Sequence, residues 1–193
     1  MFTLRAMNMY QHVAELWEQP KENLGPLWKE RLIAWRREPV TKRLDRPTRI
    51  DRARSLGYKA KNGLFVVRQR VSKGPHRRTW VGGRRSKAMR TIKALRKSYQ
   101  VIAEERANKV FHNCEVLNSY WVAQDGRYYW YEVLLVDPEH PEIRADKQLG
   151  KFTGRGRAYR GMTSAGKKMR GLRWKGKGAE KARPSRRANL RRM

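Results

Sequence analysis

The sequence has little cysteine, no long apolar run and, over two long stretches, almost no acidic residues. Its single cysteine, Cys114, excludes an intrachain disulfide, which fits a reducing compartment. No apolar run exceeds four residues, so the sequence predicts no membrane span. The first residues lack the apolar core of a signal peptide. We therefore expect a cytoplasmic protein that does not contact a membrane.

Acidic residues are nearly absent from residues 41–90 and 147–193. These two basic blocks contain 34 of the 47 Lys and Arg residues and only three acids, Asp45, Asp51 and Glu180. The remaining residues carry 13 basic and 14 acidic side chains and are close to neutral. Self-repulsion at a net charge of +30 would destabilise a compact protein unless a polyanion neutralised it. A nucleic acid is the expected polyanion, because phosphates bind Lys and Arg with release of counterions.

The near-neutral remainder has the periodicities of a folded domain. Helical spacing predicts two N-terminal helices within about residues 9–38, the first capped by Asn8 and ended by Pro20. We interpret the tryptophans of these helices as core residues rather than base-stacking residues. Further along the chain, the patterns predict a strand over 64–71, a helix over about 86–110 capped by Ser86, a hairpin of 116–123 and 128–137 around Asp125-Gly126, and a short helix over 139–145.

This order of elements predicts the α+β class, with a small, mainly antiparallel sheet that is covered by helix on one face. We expect a single domain over residues 1–146, with irregular basic segments at 41–63 and 72–90. Residues 147–193 form a basic, glycine-rich extension with few large apolar side chains. Such a composition does not offset the entropy of ordering the chain, so the extension is expected to fold only against a partner.

No combination of residues predicts catalysis, a metal or a cofactor. The four histidines lie far apart, and His112 with Cys114 offers two soft ligands where a zinc site needs three or four. Seven carboxylates are interpreted as solvated surface groups or partners of Arg106 and Arg144 instead of an acid–base pair. They are Glu104, Glu105, Glu115, Glu132, Asp137, Glu139 and Glu142. Residues 161–168 have the glycine spacing of a phosphate-binding loop, but Lys168 stands where the loop needs a hydroxyl group for magnesium. A nucleotide-using, RNA-modifying enzyme is therefore a weak alternative, and we predict a protein without enzymatic activity or a small-molecule substrate.

The basic blocks mix cations with glycine and aromatic residues, as RNA-binding proteins do. Arg binds phosphate through planar, bidentate contacts, and aromatic rings stack on unpaired bases, which are commoner in folded RNA than in duplex DNA. A solubilising surface mixes both signs of charge, whereas residues 72–90 contain no acid. RNA binding is therefore favoured, with a chromatin-type architectural DNA-binding protein as the alternative.

The predicted RNA-binding residues are cations and three aromatic residues of the two blocks. They are Lys42, Arg43, Arg46, Arg49, Arg52, Arg54, Tyr58, Lys59, Lys61, Arg68, Arg70, Lys73, Arg77, Arg78, Trp80, Arg84, Arg85, Lys87, Arg90, Arg155, Arg157, Arg160, Lys167, Lys168, Arg170, Arg173, Trp174, Lys175, Arg186 and Arg187.

Three parts of the chain resemble the large-subunit ribosomal protein family numbered fifteen in archaea and eukaryotes, which is unrelated to the bacterial family of that number. They are residues 46–61 with the strand 66–71, residues 117–122 with the hairpin through Asp137-Pro138, and residues 160–171; residues 103–107 also fit. The resemblance implies a structural component of the large subunit that binds its large rRNA, contacts neighbouring ribosomal proteins and has no enzymatic activity. It also implies a small α+β domain with basic extensions between rRNA helices, and the N-terminal pattern is archaeal.

Overall fold

The computed structural model describes residues 7–74, 76–77, 85, 92–93, 97–152, 154–174, 176–180 and 182. Within these residues the chain forms helices and an antiparallel sheet, which confirms the α+β class. In chain order the elements are α1 (Met9–Leu16), α2 (Pro20–Asn23), α3 (Gly25–Arg37), β1 (Thr41–Leu44), α4 (Ile50–Ser55), β2 (Leu64–Ser72), β3 (His76–Arg77), β4 (Ile92–Lys93), α5 (Tyr99–Val110), β5 (Glu115–Gln124), β6 (Tyr128–Val136), α6 (Pro141–Ala145) and α7 (Ser164–Met169). Among the described helices, none is long and apolar enough to cross a membrane.

The main sheet has four antiparallel strands in the order β1-β2-β6-β5. Strands β2 and β6 pair along their whole length, from Leu64 opposite Val136 to Ser72 opposite Tyr128. The turn between β5 and β6 is closed by Asp125, whose Oδ1 accepts hydrogen bonds from the backbone N–H groups of Arg127 (2.7 Å) and Tyr128 (2.6 Å). The strand and the hairpin predicted from sequence are both confirmed.

Helices cover both faces of this sheet, where the sequence predicted one. On one face, Trp28 and Trp35 of α3 are buried, and the Trp35 ring centroid lies 6.2 Å from that of Trp130 in β6. On the other face, Ala103 and Ala107 of α5 pack against apolar side chains of the sheet. The interpretation of the N-terminal tryptophans as core residues is confirmed.

The first helix begins as its sequence predicts. Asn8 Oδ1 accepts from Gln11 N at 3.0 Å, and Asn8 N donates to Gln11 Oε1 at 2.8 Å, which makes a complete capping box. Pro20, predicted to end this helix, instead begins α2, because a proline is well tolerated at a first helical position.

The helix predicted over residues 86–110 is shorter than expected. It begins at Tyr99, where the Ser98 side chain caps the Val101 N–H, and Ile92–Lys93 pairs as a strand with His76–Arg77. The proposed cap, Ser86, lies outside the described residues. The charge pattern gives the physical reason, since a run of Lys and Arg at a helix N-terminus opposes the helix dipole.

Residues 41–63, predicted to be irregular, contain one short strand and one short helix, and residues 45–49 and 56–63 are irregular as predicted. Strand β1 pairs with β2 from Thr41 opposite Gln69 to Leu44 opposite Val66. Helix α4 buries Ala53 completely in the same core cluster as the N-terminal tryptophans. The segment places few apolar side chains in the core, and the many arginines around them hide their periodicity in the sequence.

Candidate nucleic-acid interface

The first part of the basic extension is packed on the domain through Glu104. This side chain of α5 is fully buried. Its Oε1 accepts a hydrogen bond from Ser119 Oγ and its Oε2 accepts one from Thr163 Oγ1, both at 2.5 Å. Burial raises the pKa of Glu104, although these hydrogen bonds oppose the shift. Because Thr163 also caps α7, the contact fixes the start of that helix to the core.

A second buried carboxylate holds the extension by its main chain. Glu115, at the start of β5, is 2% exposed. Its two oxygens accept hydrogen bonds from the backbone N–H groups of Gly156 (2.7 Å) and Arg157 (3.0 Å). Ala158 is buried directly after them in the core on this face. The partner against which this part of the extension orders is therefore the chain's own domain.

A third buried carboxylate holds the first basic segment. Glu132 lies in the middle of β6 and accepts from the Thr48 N–H with both oxygens, at 3.2 and 3.1 Å. It also accepts from the Tyr120 hydroxyl at 2.5 Å. Burial raises the pKa of Glu132 against the opposing effect of these bonds. We refer to Glu104, Glu115 and Glu132 as the anchoring carboxylates.

The sequence analysis placed the anchoring carboxylates on solvated surfaces, which is wrong. All three are buried, and buried carboxylates need hydrogen-bonded partners. One sequence signal could have identified Glu132, since it is the only charge between residues 128 and 136 in a strand of otherwise aromatic and aliphatic residues. Glu115 and Glu132 accept from main-chain N–H groups 41 to 84 residues away, and Glu132 also accepts from the Tyr120 hydroxyl. No local residue pattern indicates these contacts.

Some of the predicted RNA-binding cations are largely buried and form ion pairs within the fold. Arg68 is 7% exposed, forms an ion pair with Glu38 and stacks over Trp35 with 4.4 Å between the guanidinium carbon and the ring centroid. Arg49 is paired with Asp51 at 3.1 Å, with its side chain 16% exposed. We therefore exclude Arg68 from the proposed RNA contacts, and we assign Arg49 a structural contact.

Other predicted cations contact the domain or the extension itself but remain accessible. Lys59 and Lys61 pair with Asp146 at 3.3 and 2.9 Å, and each keeps roughly 40% of its side chain exposed. The hydrogen bond from Lys61 and two backbone N–H groups lower the pKa of Asp146. The remaining contacts of this kind are Lys42 with Glu38, Arg43 over Phe65, Arg54 over Tyr10, Arg70 over Tyr128, Lys73 over Tyr129, Arg155 with Glu139, Arg157 over Phe152, Arg170 with the Gly161 carbonyl and Arg173 with Ser164.

A set of exposed cations has no side-chain hydrogen bond or ion pair within the described part of the chain. Among the predicted RNA-binding residues it includes Arg46 and Arg52 in the first basic segment and Arg160, Lys167 and Lys168 in the extension. Exposed aromatic rings accompany the second group, since Trp174 is 71% exposed and Tyr159 55%. This combination offers charge for phosphates and flat surfaces for unpaired bases.

The other predicted residues are placed as follows. Tyr58 is half-buried and Arg85 is exposed. The side chain of Arg77 and all of Arg78, Trp80, Arg84, Lys87, Arg90, Lys175, Arg186 and Arg187 lie outside the described residues.

The segment with phosphate-loop spacing is used for packing. Thr163 Oγ1 binds Glu104 and accepts from Gly166 N at 3.1 Å. A Cβ atom on Gly166 would lie 2.7 Å from the Gly161 Cα, so the glycines permit two stretches of backbone to touch. No strand leads into this segment within residues 154–163 of the described chain, and no group of three or more potential metal ligands occurs among the described residues.

Comparison with known proteins decides the family. Residues 8–189 match the model of the family described as Ribosomal L15. The chain belongs to the ribosomal L15e family. This membership confirms the resemblance seen in the sequence, and it makes the chain a structural, cytoplasmic protein of the large ribosomal subunit rather than an enzyme.

Two archaeal relatives show how far the likeness to the L15e family extends. The chain is 53% identical over 188 residues to the large ribosomal subunit protein eL15 of Nanoarchaeum equitans, a match that covers 95% of this chain and 99% of the relative. It is 54% identical over 190 residues to the protein of the same name from Methanocella arvoryzae, covering 95% and 96%. The family likeness thus includes the domain, the basic segments and most of the extension.

Proposed function

We propose that this chain binds and stabilises folded large-subunit rRNA through residues 41–63, 72–90 and 147–193, beside neighbouring ribosomal proteins. One observation carries the proposal. The cations Arg160, Lys167 and Lys168, exposed and unpaired among the described residues, sit on an extension that the buried carboxylates Glu104 and Glu115 hold against the domain. The positive charge is therefore presented in a defined place instead of being spread over a solubilising surface.

The anchoring carboxylates support different roles for the parts of the chain before and after about residue 146. Residues 1–146 supply the folded domain, and residues 147–193 supply a basic surface for RNA. The start of the extension is fastened to the domain by Leu149 and Ala158, which are 4% and 1% exposed. Ordering this segment before RNA arrives lowers the entropy cost of binding, because fewer residues then remain to be fixed.

The salt dependence of RNA affinity tests this function. We expect the double variant K167A/K168A to bind a large-subunit rRNA transcript more weakly and with a shallower slope of log affinity against log salt. The slope should fall in magnitude by about 1.4–1.8 if each lysine contacts one phosphate, since each contact contributes about 0.7–0.9. Filter binding at several salt concentrations measures both quantities.

The matched control is K21A/K29A, which removes the same charge from helices α2 and α3, within the near-neutral segment 1–40. Lys21 and Lys29 are both exposed, and their loss should leave the slope unchanged. Equal slope changes in the two double variants would contradict the proposal, because affinity would then follow net charge alone. Equal affinity for duplex DNA of the same length would favour the architectural DNA-binding alternative.

A further inference from the structure

A polar cleft of about 450 Å³ opens where β1 leaves the sheet. Pairing between β1 and β2 ends at Leu44 opposite Val66, so Leu64 and Phe65 line the cleft beyond the end of β1. The loop before β2 is closed by Gly63, which has φ +80°, and a Cβ atom there would lie 2.7 Å from His140 Cβ. Close packing therefore fixes the backbone at Gly63 in the lining of the cleft. The volume of the cleft falls in the range of small-ligand sites, about 300–1,000 Å³.

One side of the cleft offers flat surfaces. The guanidinium carbon of Arg43 lies 4.5 Å from the ring centroid of Phe65. Phe65 is itself held by Phe111, with 5.3 Å between ring centroids. Tyr58 also lines the cleft. Unpaired bases stack on aromatic rings and on guanidinium planes, so this side suits a nucleobase.

The lining of the cleft also offers hydrogen-bond acceptors. Asp45 and Glu142 both line it, and Glu142 Oε1 accepts from Asn62 Nδ2 at 2.8 Å. Asp45 is one of only two acids in residues 41–90. Carboxylates repel phosphate, so the group that contacts Asp45 and Glu142 should be a hydrogen-bond donor and not a phosphate. If the occupant is a nucleotide, Lys61 in the lining can bind its phosphate.

The arrangement of acceptors distinguishes between bases. Guanine presents two adjacent donors on its Watson–Crick edge, N1–H and the N2 amino group, which complement carboxylate oxygens. Uracil presents two carbonyl oxygens on either side of a single N–H, and these would be repelled. Adenine and cytosine each carry one amino group and are intermediate.

We propose that this cleft binds one unpaired guanine nucleotide of the rRNA, a step that rests on the proposed RNA-binding function. The base stacks on the Arg43–Phe65 pair and directs its donor edge towards Asp45 and Glu142. In this arrangement the first basic segment reads one base in addition to binding phosphates.

Titration of the full chain with 5′-nucleotides, followed by NMR, tests the cleft directly. The probes are GMP, AMP, CMP and UMP, with inorganic phosphate as the background anion. We expect GMP to produce saturable shifts at Gly63 and Phe65, and UMP to produce no more than phosphate does. Equal shifts from GMP and UMP at these residues would overturn the proposal.

A pair of charge-matched variants separates recognition from electrostatics. E142Q removes a carboxylate from the cleft and should weaken GMP binding about tenfold, the scale of one good base contact. E139Q makes the same charge change on an exposed residue that pairs with Arg155. It makes the chain more positive without altering the cleft, so GMP binding should stay equal or become tighter. If both variants changed GMP binding alike, the cleft would not be a guanine site.

The same variants distinguish failure of the cleft from failure of the proposed function. If only the cleft proposal is wrong, the wild-type chain still binds the rRNA transcript with a steep salt slope, and E142Q behaves as E139Q does. If the proposed function is wrong, the wild-type chain lacks that slope. D45N provides a second variant at the exposed mouth of the cleft and should follow E142Q.

Discussion

At the scale of single residues, the arginines of this chain serve two purposes that the sequence does not separate. Arg68 is buried against Trp35 and paired with Glu38, whereas Arg46 is exposed and unpaired within the described residues. Both belong to the same acid-poor block. The lowered pKa of Glu38 reflects burial, which opposes ionisation, and hydrogen bonds from Lys42 and Arg68, which outweigh it.

Replacement of each arginine by alanine should separate stability from RNA affinity. We expect R68A to lower the free energy of unfolding by about 3 kcal/mol, because it breaks a largely buried ion pair and removes packing over an aromatic ring. R46A should change stability by less than about 0.5 kcal/mol, as exposed substitutions do, and should weaken RNA binding. Chemical denaturation and filter binding of both variants check this. A stable R68A protein with weakened RNA binding would restore Arg68 to the interface.

At the scale of elements, caps set the helix boundaries more firmly than apolar periodicity does. The apolar seam predicted for residues 86–110 continues on both sides of Ser98, yet the helix starts at Tyr99. The Ser98 hydroxyl accepts from Val101 N at 3.3 Å and satisfies one of the four otherwise unpaired N–H groups.

Removal of this cap should destabilise α5 and the sheet face that it covers. We expect S98A to lower the free energy of unfolding by about 1 kcal/mol. S98D should restore it or exceed the wild type, because aspartate also caps and its charge favours a helix N-terminus. Thermal denaturation of the two variants measures the difference. Equal melting temperatures for S98A and S98D would place the helix start elsewhere.

Elements with local signals could be predicted from the sequence, and those that depend on distant contacts could not. The capping box at Asn8, the alternation in β2 and the turn at Asp125 are each encoded within about ten residues, and all three are confirmed. Strand β1 and helix α4 are stabilised by contacts with distant parts of the chain, namely pairing with β2 and packing of Ala53 in the core. Each is too short to show a periodicity in its own sequence. The dependence on distant contacts also hid the anchoring carboxylates, whose partners lie 12 to 84 residues away.

At the scale of the whole molecule, two groups of carboxylates have opposite effects on how stability changes with pH. Burial raises the pKa of Glu104 and Glu132. Between the ordinary carboxyl pKa and the raised one, the folded chain binds more protons than the unfolded chain, so stability rises as the pH falls. Asp146 has a lowered pKa, chiefly because of Lys61, so its contribution is lost as the pH falls below the ordinary value.

We therefore expect the free protein to be most stable near the ordinary carboxyl pKa, at about pH 4, and to lose stability on both sides of that pH. E104Q should flatten the rise between neutral pH and this maximum, since the Ser119 and Thr163 hydroxyls can bond an amide as well as a carboxylate. Denaturation at constant ionic strength between pH 3 and pH 8 measures the profile. E139Q, a change in an exposed carboxylate, serves as the control. A parallel profile for E104Q and the wild type would show that Glu104 does not cause the rise.

Two of the anchoring carboxylates bind main-chain N–H groups, and this affects how the protein can change over time. Glu115 recognises the backbone at Gly156 and Arg157, and Glu132 recognises the backbone at Thr48. At Thr48 and Arg157 such contacts are satisfied by almost any residue except proline, whereas Gly156 has φ +76° and favours glycine. Substitutions at positions 48 and 157 can therefore change the side chain that each basic segment presents while the path of the segment over the domain stays the same.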